Sequence, residues 1–342
     1  MVSLKDIAAI CEVSTATVSK ALRNQNDISE ETRERVKQVA DQLGYFPNAA
    51  ARALKTNESK NLGVLYEEDA GRGLTHEYFS GVLQGFKKQA EKLGYDITFI
   101  NTNRGSHGMS YLEHCRYRNF EGVVVVCADY SDPEVLGLLN SDFPTVTIDF
   151  IHHNCTAVNS NNVQGMRDLI EYVIEMGHRR IAYIHGQTYS AVTKERIAAY
   201  YQAMEEHNIP VSDEYVKEGL YLEPEAAERC TRELLRQKNP PSCILFPDDT
   251  ALIGGLNAIR SMGLRIPEDI SVAGYDGSRY SQMLYPKITT IQQNTNGIGK
   301  EAANRLIGII EKPKTALMER VVVEGILIKG QSVGRIWQME PM

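Results

Sequence analysis

At 342 residues, 42% of them apolar and 24% charged, the chain has the balance of a folded globular protein and the length of about two or three domains. No apolar run approaches the roughly 18 residues needed to cross a bilayer, and the charged opening (Lys5, Asp6, Glu12) is unlike a secretory leader, so a cytoplasmic protein is expected. Six cysteines stand far apart without a CxxC pair, which argues for buried free thiols over a zinc site or disulfide framework, and the net charge of −7 excludes a generally basic, nucleic-acid-coating surface.

Charge is unevenly spread. Residues 1–60 hold nine Lys/Arg and eight Asp/Glu, a net +1, while the remainder carries −8. Any affinity for DNA must therefore come from a few placed groups near the start. That start reads as three short helices. Ser3 and Asp6 fit a capping box for a helix over 4–11. Ser14 caps a second over 15–23, with Val18 and Leu22 turned inward at i,i+4 spacing. Ser29 caps a third over 30–43, whose apolar stripe is Val36, Val39, Ala40 and Leu43. Gly44 sits where a left-handed C-cap is wanted, and Pro47 prevents continuation. The alanine-rich 48–55 favours helix but is too short to be stable alone, and 56–61 reads as a polar linker.

From Leu62 the texture changes. Apolar runs at 62–66, 96–100, 122–127, 145–149, 180–186, 242–246 and 270–276 alternate with helical stretches at 78–93, 163–176, 191–207, 225–237 and 250–262. Near-continuous Val/Ile runs between helices imply parallel strands buried on both faces, hence a doubly wound α/β core. About 280 residues with two sets of such units suit a pair of lobes better than one sheet. Ligands in these folds bind outside the carboxyl ends of strands, so polar residues just after strands are the ones to watch.

The stretch LKDIAAICEVSTATVSKALRN supplies what a helix-turn-helix needs: a turn, a capped second helix, and short or cationic groups on its first turns. Thr15, Ala16, Thr17, Ser19 and Lys20 are placed to approach phosphates and base edges in a major groove. On this fragment alone an ordinary helical hairpin is the alternative. In context, VSTATVSKALRN followed by ISEETRERV, LGYFPN and AAARALK resembles, with its spacing kept from Leu4 to Lys55, the headpiece of the LacI/GalR family of bacterial transcription regulators. The resemblance implies base and backbone contacts by Thr15, Ala16 and Lys20. It also makes 48–55 a hinge helix that folds when two protomers meet on DNA. Asn48 and Arg52 would contact DNA there, with Leu54 wedged into the minor groove at the centre of a palindrome, usually a CG step, and Lys55 beside it. Opening a base step costs a few kcal/mol, offset by contacts in the bent duplex.

The resemblance continues through NSNNVQGMRDLIEYVIEMGHRRIAYIHG, KERIAAYYQAM and PDDTALIGGLNAIRSMGLRIPEDISVAGYDG, covering roughly residues 3–334. It implies a headpiece over 1–47, a hinge and linker over 48–61, and a periplasmic-binding-protein-like core over 62–342. The lobes would comprise about 62–158 with 292–320, and about 159–291 with 321–342. Carried over by position, the effector cleft includes Tyr78, Phe79, Arg196, Asp248 and Asp276. Arg196 offers a rigid donor fork, the aspartates accept from vicinal hydroxyls, and the aromatics supply flat faces for a sugar ring. Two acceptors, one cation and aromatic walls favour a neutral polyol over an anion. Plain core for Tyr78 and Phe79, a surface helix position for Arg196 and a turn cap for Asp276 are the competing readings. His178, Arg179 and Arg180 read as a helix-to-strand junction.

Several positions depart from the family's habit. Asn161-Asn162 replaces Asp-Asn, Ala199 a glycine and Asp248 an asparagine; Leu222 stands where relatives are often aromatic, and 67–76 is longer than in many members. The function expected is a palindrome-binding regulator, a repressor of carbohydrate-metabolism genes, controlled by a sugar in the cleft. A purine-type corepressor sensor is the runner-up, and a free solute receptor is at odds with residues 1–55. An enzyme is not expected: GxGxxG after a strand, GxxxxGK[ST] and metal-ligand spacing are all missing, although Asp248 and Asp276 could be imagined as a glycosidase pair. No cofactor or metal is implied. After Gly334 only RIWQMEPM follows, without leucine heptads to join dimers, so a homodimer is expected.

Overall fold

The computed structural model describes residues 2–46, 58–67, 72–100 and 108–336. The chain divides into two compact units, residues 1–59 and 60–342.

The first unit holds α1 (Leu4–Ile10), α2 (Thr15–Leu22) and α3 (Glu30–Gln42). The expected caps are in place: the Asp6 carboxylate accepts from the Ser3 amide and hydroxyl at 2.8 Å, and the hydroxyls of Ser14 and Ser29 accept from the amides of Thr17 and Thr32. Each such cap contributes about 1 kcal/mol to a helix of this size. Ile7, Ala8, Cys11, Val18, Ala21, Val36 and Ala40 form the core, with Leu22, Val39 and Leu43 packed against it. Glu12 adopts φ +50 in the α1–α2 turn, and Gly44 takes the left-handed φ of +64 that ends α3. Arg35 ties α3 to that turn by donating to the Cys11 carbonyl at 3.1 Å.

The second unit contains two six-stranded sheets. One comprises β1 (Asn61–Tyr66), β2 (Asp96–Phe99), β3 (Gly122–Cys127), β4 (Thr145–Ile148), β5 (Thr156–Ser160) and β11 (Arg320–Val323), in the order β11-β5-β4-β3-β1-β2. Its faces are covered by α4 (Glu77–Lys92) and α11 (Thr295–Glu311) on one side and by α5 (Tyr111–Tyr117) and α6 (Pro133–Leu139) on the other. The second sheet comprises β6 (Ile181–His185), β7 (Val216–Glu218), β8 (Cys243–Leu245), β9 (Ser271–Asp276), β10 (Thr289–Gln292) and β12 (Ile326–Ile328), ordered β12-β10-β9-β8-β6-β7. It lies between α7 (Asn162–Glu175) with α8 (Ala191–Glu206) and α9 (Pro224–Leu235) with α10 (Asp249–Ser261). Pairing is parallel except for β12, which runs antiparallel to β10.

The central strands β3, β6 and β8 are buried along nearly their whole length, as Val/Ile-rich runs sandwiched by helices must be. The chain passes between lobes after β5, after β10 and between β11 and β12. The last passage thus follows Val323, where the sequence placed it at 320, and the first follows Ser160, where it placed it at 158. Helix packing is tight enough to demand glycine at Gly254, where a Cβ would stand 1.8 Å from the Pro224 carbonyl oxygen. Cys11, Cys115, Cys155 and Cys243 are buried, Cys127 and Cys230 half-buried, and none of the six is joined in a disulfide. Among the described residues no helix is long and apolar enough to cross a membrane.

Candidate effector site and DNA-contact helix

In both sheets the strands end toward the cleft between the lobes, and the polar residues there form two layers. The deeper layer centres on Arg196, from α8. Its side chain is 3% exposed, so it is no surface arginine. The guanidinium lies 3.5 Å over the Tyr275 ring, and donates through Nε to Asn162 Oδ1 and through Nη1 to the Pro247 carbonyl, both at 3.0 Å. The phenolic oxygens of Tyr183 and Tyr275 are buried without a hydrogen-bond partner. Buried hydroxyls rarely stay so, and such a pair is what a site for hydroxyl- or amide-bearing ligands presents.

Asp248 is the N-cap of α10. Its Oδ1 accepts from the amides of Thr250 and Ala251 and its Oδ2 from that of Leu222, all at 2.8 Å. Next in sequence, the buried Asp249 accepts from the Ser278 amide (2.7 Å) and the Thr290 hydroxyl (2.9 Å). Burial, then the charge of Asp276, pushes its carboxyl up to about 8. Asp276 ends β9 with φ +98 and accepts from Gln293 Nε2 at 2.6 Å. Burial, then the neighbouring Asp248, pushes it up to about 7. From the other lobe, the Tyr78 phenol donates to Asp149, which sits just past β4 at φ +52 and also accepts from the Ser160 amide at 3.1 Å. Burial raises the Asp149 carboxyl, against the pull of its hydrogen bonds to Tyr78 and Ser160.

The outer layer is an open cleft of about 370 Å³, walled by Arg72, His76, Glu77 and Tyr78 from one lobe and by Leu222, Thr250, Asp276, Arg279, Tyr280 and Gln293 from the other. Tyr78 and Asp276 therefore line it directly. Arg196 and Asp248 stand behind it. Phe79 is placed apart from its walls: its ring packs on Tyr66 (5.7 Å between centroids) and Tyr78 (5.1 Å), against the core of its own lobe, and supports Tyr78 rather than facing the cavity. Asp149 and Gln293, unremarked in the sequence, follow directly on β4 and β10, so the strand-end rule could have found both. Arg72 and Glu77 carry no such signal, because their partners lie in the other lobe. His178 bridges the Ser242 hydroxyl and the Gly334 carbonyl, and Arg180 donates to Pro240 O, which are junction contacts. Among the described residues no group of three or more His, Cys, Asp or Glu could hold a metal.

In the headpiece, Thr15 and Ala16 are exposed on the first turn of α2, with Thr17, Ser19 and Lys20 half-buried beside them. The Thr17 hydroxyl meets Ser14 Oγ at 2.9 Å, Arg23 reaches back to the Ser19 carbonyl (3.0 Å) and hydroxyl (3.2 Å), and Lys20 pairs with Asp27. Asn48, Arg52, Leu54 and Lys55 lie outside the described residues.

The profile of the bacterial regulatory proteins, lacI family, matches residues 3–48, and that of a periplasmic binding protein-like domain matches 170–333. The chain is 30% identical over 318 residues to the probable HTH-type transcriptional repressor ExuR of Bacillus subtilis (strain 168), an alignment covering 92% of this chain and 93% of that one. A solved complex of the transcriptional regulator CelR with cellobiose superposes with a TM-score of 0.70 at 26% identity, over 97% of this chain and 100% of that one. The lac repressor dimer bound to operator and the anti-inducer ONPF superposes at 0.80 with 23% identity, over 97% and 99%, a likeness of fold.

Proposed function

Since this chain belongs to the LacI family of bacterial regulatory proteins, as a DNA-binding transcriptional repressor with a ligand-binding core and not an enzyme, we propose that it represses carbohydrate-metabolism genes from the cytoplasm under control of a sugar. The DNA contacts fall to Thr15, Ala16, Thr17, Ser19 and Lys20 in the major groove. Asn48, Arg52, Leu54 and Lys55 act at the centre of a palindrome, with Leu54 entering a CG step and two protomers forming a homodimer. Half-sites read by twin headpieces require that two-fold symmetry.

One observation supports the ligand reading above the rest. Where strands of both lobes end, the buried Arg196 guanidinium stands among three carboxylates, Asp149, Asp248 and Asp276, and gives its Nε and Nη1 to Asn162 and the Pro247 carbonyl, while Arg72, Arg279 and Glu77 line the cleft itself. Acceptors in excess of cations favour a ligand rich in hydroxyl donors and disfavour a second anion. Tyr78 and Asp276 touch it directly, Arg196 and Asp248 hold the floor, and Phe79 keeps Tyr78 in place. CelR, a relative in fold, holds a disaccharide. Ligand that favours one angle between the lobes by several kcal/mol shifts DNA affinity, whereas equal affinity for both angles shifts nothing.

A thermal-shift panel on the full-length protein tests this, with ribose, cellobiose, adenine and hypoxanthine as separate arms. A bound ligand well above its dissociation constant stabilises by about 2–4 kcal/mol. Stabilisation by purines alone, or by no member of a panel widened to common mono- and disaccharides, would sink the sugar reading. Retention of random and palindromic duplexes with equal affinity would sink the operator reading.

A further inference from the structure

Two features of the sequence stand outside the function proposed above: the long segment 67–76 and the leucine at 222. In the structure Arg72, from that segment, meets Leu222. The Arg72 guanidinium, from one lobe, donates to the Leu222 carbonyl of the other.

The receiving loop is strained. Leu220 (φ +61) and Leu222 (φ +60) both adopt the left-handed conformation that a residue with a branched side chain avoids, and neither is glycine. Such a loop persists only where its surroundings over-determine it. The Tyr221 ring fits against Gly186, where a Cβ would come within 2.0 Å of it, and its hydroxyl accepts from Thr193 Oγ1 at 2.9 Å. The Leu222 amide donates to Asp248, the residue that also caps α10. The backbone of Leu222 is therefore held from both lobes: by Asp248 at its nitrogen and by Arg72 at its carbonyl oxygen. Nearby, the Glu77 carboxylate of the first lobe accepts from the Arg279 amide of the second at 2.9 Å.

We propose that Arg72 is an interlobe latch, a positioning residue whose hydrogen bond to the Leu222 carbonyl holds the lobes together and holds the strained 219–222 loop in its left-handed form. A guanidinium on a neutral carbonyl makes a bond strong enough to bias closure and weak enough to exchange. The loop, Asp248 and the α10 N-terminus then form one hydrogen-bonded series, so withdrawal of Arg72 loosens the wall of the cleft as well as its mouth. The consequence for signalling rests on the effector reading above, but the latch itself does not.

Hydrogen–deuterium exchange on the full-length protein without added ligand therefore tests the latch alone. In Arg72→Ala, amides of residues 219–223 should exchange at least about tenfold faster than in the wild type. Those of β6 and β8 should keep their protection, and small-angle scattering should give a larger radius of gyration. Arg72→Lys should restore part of the protection, since an ammonium can still reach a carbonyl. Exchange at 219–223 within about twofold of wild type, with β6 and β8 intact, overturns the latch. Should Arg72→Ala lose protection in β6 and β8, Arg72→Gln, which keeps most of the stem, decides on the same criteria.

Discussion

Replacing Asp249 by asparagine should remove a pH dependence that the fold builds into its second lobe. The carboxyl is 1% exposed and raised from an ordinary 3.8 to about 8, by burial first and by Asp276 second. A group whose folded pKa lies above its unfolded one binds more protons when folded, so stability falls as pH rises from the lower value to the upper. Between pH 5 and pH 8, a folded value of 8 against an unfolded 3.8 corresponds to a loss of about 4 kcal/mol. At about 2 °C per kcal/mol for a unit of this size, the melting temperature should fall by roughly 8 °C over that window. Asparagine is the shape of the protonated acid: its oxygen can accept from the Ser278 amide and its NH2 can donate to the Thr290 hydroxyl. The assay is a set of thermal melts of wild type and Asp249→Asn at half-unit steps from pH 5 to 8. The variant should melt higher at every step, and its lead over the wild type should widen steadily as the pH rises from 5 to 8. Parallel curves across the range would refute the reasoning, because Asp249 would then be ionised in the folded protein at no cost.

Other perturbations test other parts of the structure. Arg196→Ala strips the Tyr275 ring of its cation and leaves Asp276 without the charge that favours its ionised form; a loss of about 3–5 kcal/mol in urea unfolding is expected, and a loss below about 1 kcal/mol would mean that the pocket floor is not held by this residue. Gly254→Ala drives a methyl into the Pro224 carbonyl 1.8 Å away, so α9 and α10 must part; overpacking of this kind costs about 1–3 kcal/mol or more, read as a lower melting temperature. Lys20→Ala should weaken operator binding in gel-shift titrations and reduce the slope of log affinity against log salt by about one. An unchanged slope would remove Lys20 from the phosphate contacts, while its exposed pairing with Asp27 leaves folding little affected.

Much of this molecule could be read from residues taken in order. The caps Ser3, Ser14 and Ser29 and the left-handed Gly44 are local devices, decided within four residues of chain, and each appears where its neighbours require it. Unbroken valine runs such as 122–127 require a strand covered on both faces, which fixes the α/β class. The short strands β7 and β12, of three residues each, carry no periodicity to detect, and β12 runs antiparallel because it only returns the chain to the edge of the sheet.

The candidate site divides along the same line. Residue types that follow strands, Asp248 and Asp276 among them, were legible as polar groups at a ligand-facing end. Their partners were not, because each partner arrives from a distant stretch: Leu222 on Asp248, Gln293 on Asp276, Tyr78 on Asp149, Arg72 on Leu222. Sequence by itself determined which elements form and which face of each is apolar, since both follow from local propensity and period. Only the tertiary structure decided that Arg196 is buried, that Phe79 supports rather than lines the cleft, and that burial raises the carboxyls of Asp248, Asp249 and Asp276. Burial and charge proximity depend on distances through space, and those exist only once the sheets have closed.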